Sequence, residues 1–251
     1  MCTIAFLIGV AEHPLVIAAN RDELYARPTR PPERLAPHVV GGVDARSGGT
    51  WLAIHARGSF AAVTNQRALA TPPPELRSRG LAVRELASAD DPDAYVAALD
   101  PRGYASMNLA WGDARGVTLA YLRHDTGAKD LVRLGHGVHV LCNDRLGAPG
   151  FPRGVRLAAA IKPHLAAPWP ELASHIAIAL GDHTQVPPPP SHLPLELARA
   201  LTATCIHSPL YGTRSATIAA FAPGRVVEYL DADGPPCTTP FVDLRGLLGA
   251  A

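Results

Sequence analysis

Lysine is nearly missing from this 251-residue chain: only Lys129 and Lys162 occur, and the remaining basic residues are arginines scattered from Arg21 to Arg245. Against 22 acidic residues they leave a formal charge of +1. No basic stripe is available to release counterions from a nucleic-acid backbone, which argues against nucleic acid as a partner. Charged residues are scarce at 18%, too few for a disordered chain, while 47% hydrophobic residues suffice for a sizeable core. No window reaches the roughly 18 uninterrupted apolar residues of a membrane span, so stable membrane insertion is not expected. No C-x-x-C pair occurs either. Cysteines 2, 142, 205 and 237 are too dispersed for a zinc knuckle or a small disulfide framework, and no metal site is expected from their spacing.

What is abundant is proline, 25 residues, and glycine, 22. They punctuate rather than dilute the apolar segments. The first ten residues, from Met1-Cys2-Thr3 to Val10, and Leu15 to Ala19 are apolar runs separated by Ala11-Glu12-His13-Pro14. No basic residue precedes them and the break interrupts any h-region, so they read as a hairpin of buried strands rather than a secretory signal. A cytoplasmic protein with reduced thiols is the expectation. Arg27 to Pro37 is too rich in proline for regular structure and reads as an extended loop. Strands are predicted at Thr50 to Ile54, Ser59 to Val63, Met107 to Trp111, Val117 to Leu122, Leu131 to Leu134, Val138 to Leu141, Ser215 to Phe221 and Arg225 to Tyr229. Helices are predicted around Leu81 to Ala87, from Ser88 to Leu99, Phe151 to Leu165, Glu171 to Leu180 and Leu195 to Leu201, with Thr71 to Pro74 and Val186 to Pro194 as breaks. Strands and helices come in blocks without βαβ alternation, which points to an α+β fold of two mainly antiparallel sheets covered by helices, in one domain over residues 1–251.

The second residue carries the sharpest chemistry. Removal of Met1 would leave Cys2 with a thiol and an α-amine on one residue, nucleophile and base together. In a hairpin, the tetrad Asn20-Arg21-Asp22-Glu23 at the end of the second run falls beside Cys2. Arg21 can favour a thiolate or receive a substrate carboxylate, and Asp22 can orient the α-ammonium. Asn65 and Asn143 each finish an apolar strand, where side-chain amides can donate into an oxyanion hole. Gly48-Gly49-Thr50-Trp51 and Tyr211-Gly212-Thr213-Arg214-Ser215 add two Gly-Thr turns, the second offering Arg214 as an anion clamp.

Taken together, Met1-Cys2, Asn20 to Glu23 with Tyr25 and Arg27-Pro28, Gly48 to Leu52, Thr64-Asn65, Ser78-Arg79-Gly80 and Tyr211 to Ser215 resemble the NRDE family, that of transport and Golgi organisation protein 2. The resemblance implies an N-terminal-nucleophile (Ntn) hydrolase-like, four-layer αββα sandwich. A more distant similarity, to the cysteine Ntn hydrolases that include bile salt hydrolase and penicillin V acylase, assigns catalytic positions to Cys2, Asp22, Asn65, Asn143 and Arg214. Those enzymes carry Arg three residues before Asp, whereas Arg21 is adjacent to Asp22, which would set it on the opposite side of an extended chain from the Arg of those enzymes. Arg21 is therefore grouped with substrate binding, together with Asn20, Glu23, Thr50, Trp51 and Thr64. Two functions follow from the resemblance: a cofactor-free amidohydrolase for a small amide or acyl substrate, or a non-catalytic carrier of haem or acyl-lipid cargo. For haem, His207 in Cys205-Ile206-His207 is the candidate axial ligand. Specificity is expected to reside in the loops at 27–37, 69–77 and 186–194.

Overall fold

The computed structural model describes residues 2–67 and 73–249. Met1, residues 69–72 of the 69–77 loop and, with them, residues 71 and 72 of the 71–74 break therefore lie outside the described residues. In chain order the elements are β1 (Cys2–Ile8), β2 (Leu15–Leu24), β3 (Thr29–Ala36), β4 (Val39–Asp44), β5 (Leu52–His55), β6 (Ser59–Asn65), α1 (Arg79–Ser88), α2 (Pro92–Ala98), β7 (Met107–Asp113), β8 (Gly116–Leu122), β9 (Lys129–Arg133), β10 (Gly137–Leu141), α3 (Pro152–Ile161), α4 (Trp169–Leu180), α5 (Leu195–Ala200), β11 (Tyr211–Ala222), β12 (Arg225–Ala232), β13 (Val242–Asp243) and α6 (Gly246–Gly249).

They form two sheets, ordered β10-β1-β2-β11-β12-β13 and β3-β4-β5-β6-β7-β8-β9, and every strand pair within them is antiparallel. Strand alternation sorts the apolar residues into layers. On β1 and β2, Ile4, Phe6, Leu15 and Ile17 face the second sheet, where Phe6 and Phe221 flank Phe60 with ring centroids 5.9 Å apart. Their alternates Ala5, Leu7, Val16 and Ala18 pack under Leu157, Ile161, Leu172 and Ile176 of α3 and α4. On the far side, Val83, Leu86 and Val96 of α1 and α2 cover the second sheet. Each large side chain so buried contributes about 1.5–3 kcal/mol. Strands buried on both faces read as continuous apolar runs, which is why the first twenty residues can pass for a leader. The expected α+β sandwich with an αββα layering is the observed fold, and among the described residues no helix is long and apolar enough to cross a membrane.

Three local expectations are corrected. The proline-rich stretch expected as a loop from Arg27 to Pro37 contains β3, which pairs with β4 alone. An edge strand needs only half its N–H groups, and the register shifts between Arg30 and Glu33, where Pro31 and Pro32 supply none. Second, Tyr211 to Ser215, expected as a Gly-Thr turn, open strand β11 and pair with the tetrad, which ends β2 as expected. Third, the helix expected from Ser88 to Leu99 begins only at Pro92, where Asp91 accepts a hydrogen bond from the Ala94 N–H and caps it.

Candidate active site

Cys2 pairs with Arg21 across β1 and β2, so both project to the same face of the sheet, the one turned toward the second sheet. There the two sheets part into a cleft of about 280 Å³ lined by Cys2, Arg21, Asp22, Glu23, Thr50, Trp51, Asn65 and Arg79, among others. Being adjacent to Asp22 does not take Arg21 away from the nucleophile's side: one and three residues are both odd steps along a strand. The Arg21 guanidinium lies 4.1 Å over the Trp51 ring and Nη1 donates to Thr29 Oγ1 at 2.9 Å. Burial disfavours its charge, and Cys2, Glu23 and Asp44 act in the opposite direction.

The opposite rim is the start of α1. Ser78 caps it, its Oγ accepting from the Gly80 N–H at 3.2 Å, and Thr50 N–H donates to the Gly80 carbonyl at 3.0 Å. The backbones meet so closely that a Cβ on Gly49 would stand 2.4 Å from the Gly80 carbonyl carbon, which explains why Gly-Gly-Thr and Ser-Arg-Gly occur together. That contact holds Arg79 over the cleft, with Nη1 donating to the Ser106 carbonyl at 3.3 Å. Neither Arg21 nor Arg79 has a carboxylate within ion-pair distance among the described residues, whereas Arg27 is matched to Asp44 and Arg77 to Glu85.

Burial raises the Cys2 thiol above its ordinary pKa and the Asp22 carboxylate adds to this; the amino-terminal charge, Arg21 and the Asp22 backbone N–H draw it back. Asp22 is itself raised by burial, against the pull of Arg153 and of a 2.7 Å hydrogen bond from Thr213 Oγ1. Arg153, buried on α3, donates through Nη2 to Asn143 Oδ1 at 2.7 Å and through Nη1 to the Leu201 carbonyl at 2.9 Å. Asn143 Nδ2 in turn donates to the Asn65 carbonyl at 3.0 Å. A chain of polar contacts thus runs from Arg153 to the backbone of a cleft residue.

A family profile described as Transport and Golgi organisation 2 matches residues 1–233. The chain belongs to that family. A Transport and Golgi organization protein 2 homolog from Bos taurus is 30% identical, covering 87% of each chain, and one from Homo sapiens is 28% identical with the same coverage. Solved structures extend the likeness in fold. A Caenorhabditis elegans ortholog of N-acylethanolamine-hydrolyzing acid amidase superposes with a TM-score of 0.51 at 9% identity, covering 89% of this chain and 93% of its own. Two variants of conjugated bile acid hydrolase from Clostridium perfringens give 0.54 and 0.57 at 11% and 10% identity, each covering 100% of this chain and 95% of its own. The fold is that of the Ntn hydrolases.

Within this Transport and Golgi organisation 2 family member, the residues singled out by sequence fall into three groups. Cys2, Asp22 and Asn65, with Arg21, Glu23, Thr50 and Trp51, line one cleft. Asn143, Asn20, Thr64 and Arg214 stand around it as supports. Asn20 Nδ2 donates to the carbonyls of Leu180 and Thr204, Thr64 Oγ1 to that of Cys142, and Arg214 Nη1 to those of Leu24, Tyr25 and Arg27. Where direct contact with substrate was expected, these donors hold backbone around the cleft. The Thr50 hydroxyl is committed likewise, to the Leu52 carbonyl. His207 lies outside the cleft. Two residues escaped the sequence reading as site members. Arg79 sits inside a quoted motif but shows its role only once α1 is placed. Arg153 follows a proline in an ordinary amphipathic helix, and nothing local marks it as buried.

Proposed function

We propose that the chain is a cysteine amidohydrolase of the Ntn type, acting on a small amide or acyl substrate that carries an anionic group. The observation that carries the reading is the Cys2 thiol facing a cleft flanked by Arg21 and Arg79, two guanidiniums without carboxylate partners among the described residues. In the proposed reaction, Met1 is first removed. Cys2 Sγ then attacks the amide carbon while its own α-amine takes the thiol proton, and the carbonyl electron pair moves onto oxygen. Asn65 is the cleft's side-chain amide and no described neighbour holds it, so it donates to that oxyanion. Collapse breaks the C–N bond, the α-ammonium protonates the departing amine, and a thioester remains. Water then attacks the thioester, gives its proton to the α-amine, and releases the acid and the thiol. A cleft of this size lies at the small end of ligand sites, which suits a compact substrate.

Intact mass tests the first step, since a purified protein retaining Met1 has no free Cys2 amine and ends the Ntn reading. With Met1 absent, a panel of N-acyl amino acids, cyclic amides and acyl-thioesters is compared between the parent and Cys2→Ala. Turnover lost with Cys2→Ala supports the nucleophile; equal turnover removes it. The relatives' naming for transport favours a second reading, a carrier of haem or acyl lipid using the same cleft. It predicts cargo binding that Cys2→Ala leaves intact, and for haem a Soret change lost on replacing one axial ligand.

A further inference from the structure

On the helix-covered side of the first sheet, away from the cleft, four side chains from three different loops converge. His183 follows α4, Cys205 and His207 lie between α5 and β11, and Cys237 lies in the turn between β12 and β13. One ligand atom from each falls within 4.8 Å of every other. Cys205 Sγ is 3.7 Å from Cys237 Sγ and 3.5 Å from His207 Nε2, and His207 Nε2 is 3.3 Å from Cys237 Sγ. We infer that His183, Cys205, His207 and Cys237 form a structural Zn²⁺ site.

The spacing decides the chemistry. Zinc holds sulfur at about 2.3 Å and imidazole nitrogen at about 2.0–2.1 Å, so a tetrahedral site has S···S edges of about 3.8 Å and S···N edges of about 3.5 Å. The three contacts match these edges. A disulfide requires sulfurs about 2.05 Å apart, and it gives no reason for two imidazoles to stand against the same pair of thiols. Two thiols and two imidazoles are a soft and borderline donor set with no carboxylate, which selects Zn²⁺ over Mg²⁺ or Ca²⁺. Four protein ligands leave no open position, so the ion is structural and not a second catalytic centre. Binding deprotonates both cysteines and takes both histidines neutral, releasing the thiol protons to solvent.

The loops are already held in place by contacts that owe nothing to the ion. Cys205 N–H donates to the Asp182 carbonyl at 2.9 Å, and Ile206 exchanges hydrogen bonds with Thr213, receiving its N–H and donating to its Oγ1. The 235–239 turn closes through the Thr238 and Thr239 N–H groups on the Pro235 carbonyl. It comes so close to the end of α4 that a Cβ on Gly181 would lie 3.3 Å from Cys237 Cα. A Cys-x-His step in extended backbone turns Cys205 and His207 to one side. The ion would tie the Cys237 turn to the two segments that Asn20 and Thr213 connect to β2: Asn20 holds the carbonyls of Leu180 and Thr204, and Thr213 bridges Ile206 to Asp22. Its role is to fix the outer support of the Cys2 cleft.

The test is metal content of the full chain purified from zinc-supplemented medium with thiols kept reduced. One zinc per chain is expected in the parent and in Cys2→Ala. Cys237→Ser and His183→Ala should weaken zinc by more than about 100-fold, since even outer partners of a metal site carry 10–100-fold. His183 is exposed, so His183→Ala keeps the test readable should a cysteine variant fail to fold. Cobalt loaded in place of zinc should show tetrahedral d–d bands with a thiolate-to-cobalt charge-transfer band, lost in Cys237→Ser. Zinc should also slow alkylation of Cys205 and Cys237 in the parent. A chain that takes up no zinc, zinc retained in Cys237→Ser and His183→Ala, or a Cys205–Cys237 disulfide trapped at lysis would each overturn the site.

Discussion

The strand β2 ends between two thiol sites that could hardly be less alike. On its inner side Cys2 stands alone in a cleft that carries the Arg21 and Arg79 guanidiniums and the Asn65 amide together with the Glu23 and Asp44 carboxylates. On the helix side Cys205 and Cys237 face each other and two imidazoles, groups that share a cation. The tetrad serves both by alternation: Arg21 and Glu23 turn to the cleft, while the side chains of Asn20 and Asp22 turn to Thr204, Leu180 and Thr213 on the other face. A cysteine's chemistry is thus set by the charge type and convergence of its neighbours, and one four-residue motif sets both environments.

The largest expected effect separates the two sites outright. Cys2→Ala should reduce amide turnover by at least about 10³-fold, because loss of the nucleophile removes the covalent route entirely, while leaving melting temperature and zinc content unchanged. Zinc lost together with activity would merge the two regions into one. Arg153 is the next lever, since it reaches both sides through Asn143 and the Leu201 carbonyl. Arg153→Met leaves the Asn143 Oδ1 and Leu201 carbonyl acceptors unsatisfied in the interior, a cost of about 1–3 kcal/mol each. For a chain of this length the two together correspond to a fall of about 10 °C in melting temperature, read by calorimetry. A fall of one or two degrees would mean that the buried charge holds nothing.

The two regions also differ in how plainly the sequence announces them. Cys2, the tetrad and Asn65 are legible because they sit at strand ends whose pairing follows from two apolar runs and a short break. The same pattern makes the αββα layering legible, since period-two burial fixes which residues face which layer. The His183, Cys205, His207 and Cys237 cluster is not legible: its members are drawn from three loops, and their convergence depends on how α4 and the 235–239 turn pack. Pro31 and Pro32 hid β3 for a related reason, because only the finished sheet shows that this strand is an edge. For Asn143 and Arg214, sequence locates a polar side chain without saying which carbonyl claims it: that of Asn65 for the first, those of Leu24, Tyr25 and Arg27 for the second.

Within the cleft, Asn65→Ala should lower kcat by about 10²–10³-fold with KM little changed, the signature of a donor that matters once charge develops on oxygen. A matching rise in KM would make Asn65 a ground-state contact instead. Arg79→Leu should do the reverse: about tenfold in KM for an anionic substrate, roughly 1.4 kcal/mol, and no change for a neutral amide of the same shape. Kinetics on the paired substrates decide whether α1 contributes binding or chemistry.

The smallest effect probes the inner thiol's electrostatics. The Asp22 carboxylate raises the Cys2 thiol and Arg21 lowers it, so Asp22→Asn should move the midpoint of Cys2 alkylation to lower pH and Arg21→Leu should move it higher. Stability adds a second reading of the same charge. Burial raises the Asp22 carboxyl above its unfolded value of about 3.9, so the folded chain holds that proton more tightly than the unfolded one. The stability this contributes is complete below the unfolded pKa and is lost as pH rises through the folded one. Asp22→Asn carries no such proton, so its stability should not fall over that span, measured by denaturant unfolding at a series of pH values. If the parent and Asp22→Asn decline in parallel, Asp22 is not the group that titrates, and its influence on Cys2 must be judged by the alkylation midpoint alone.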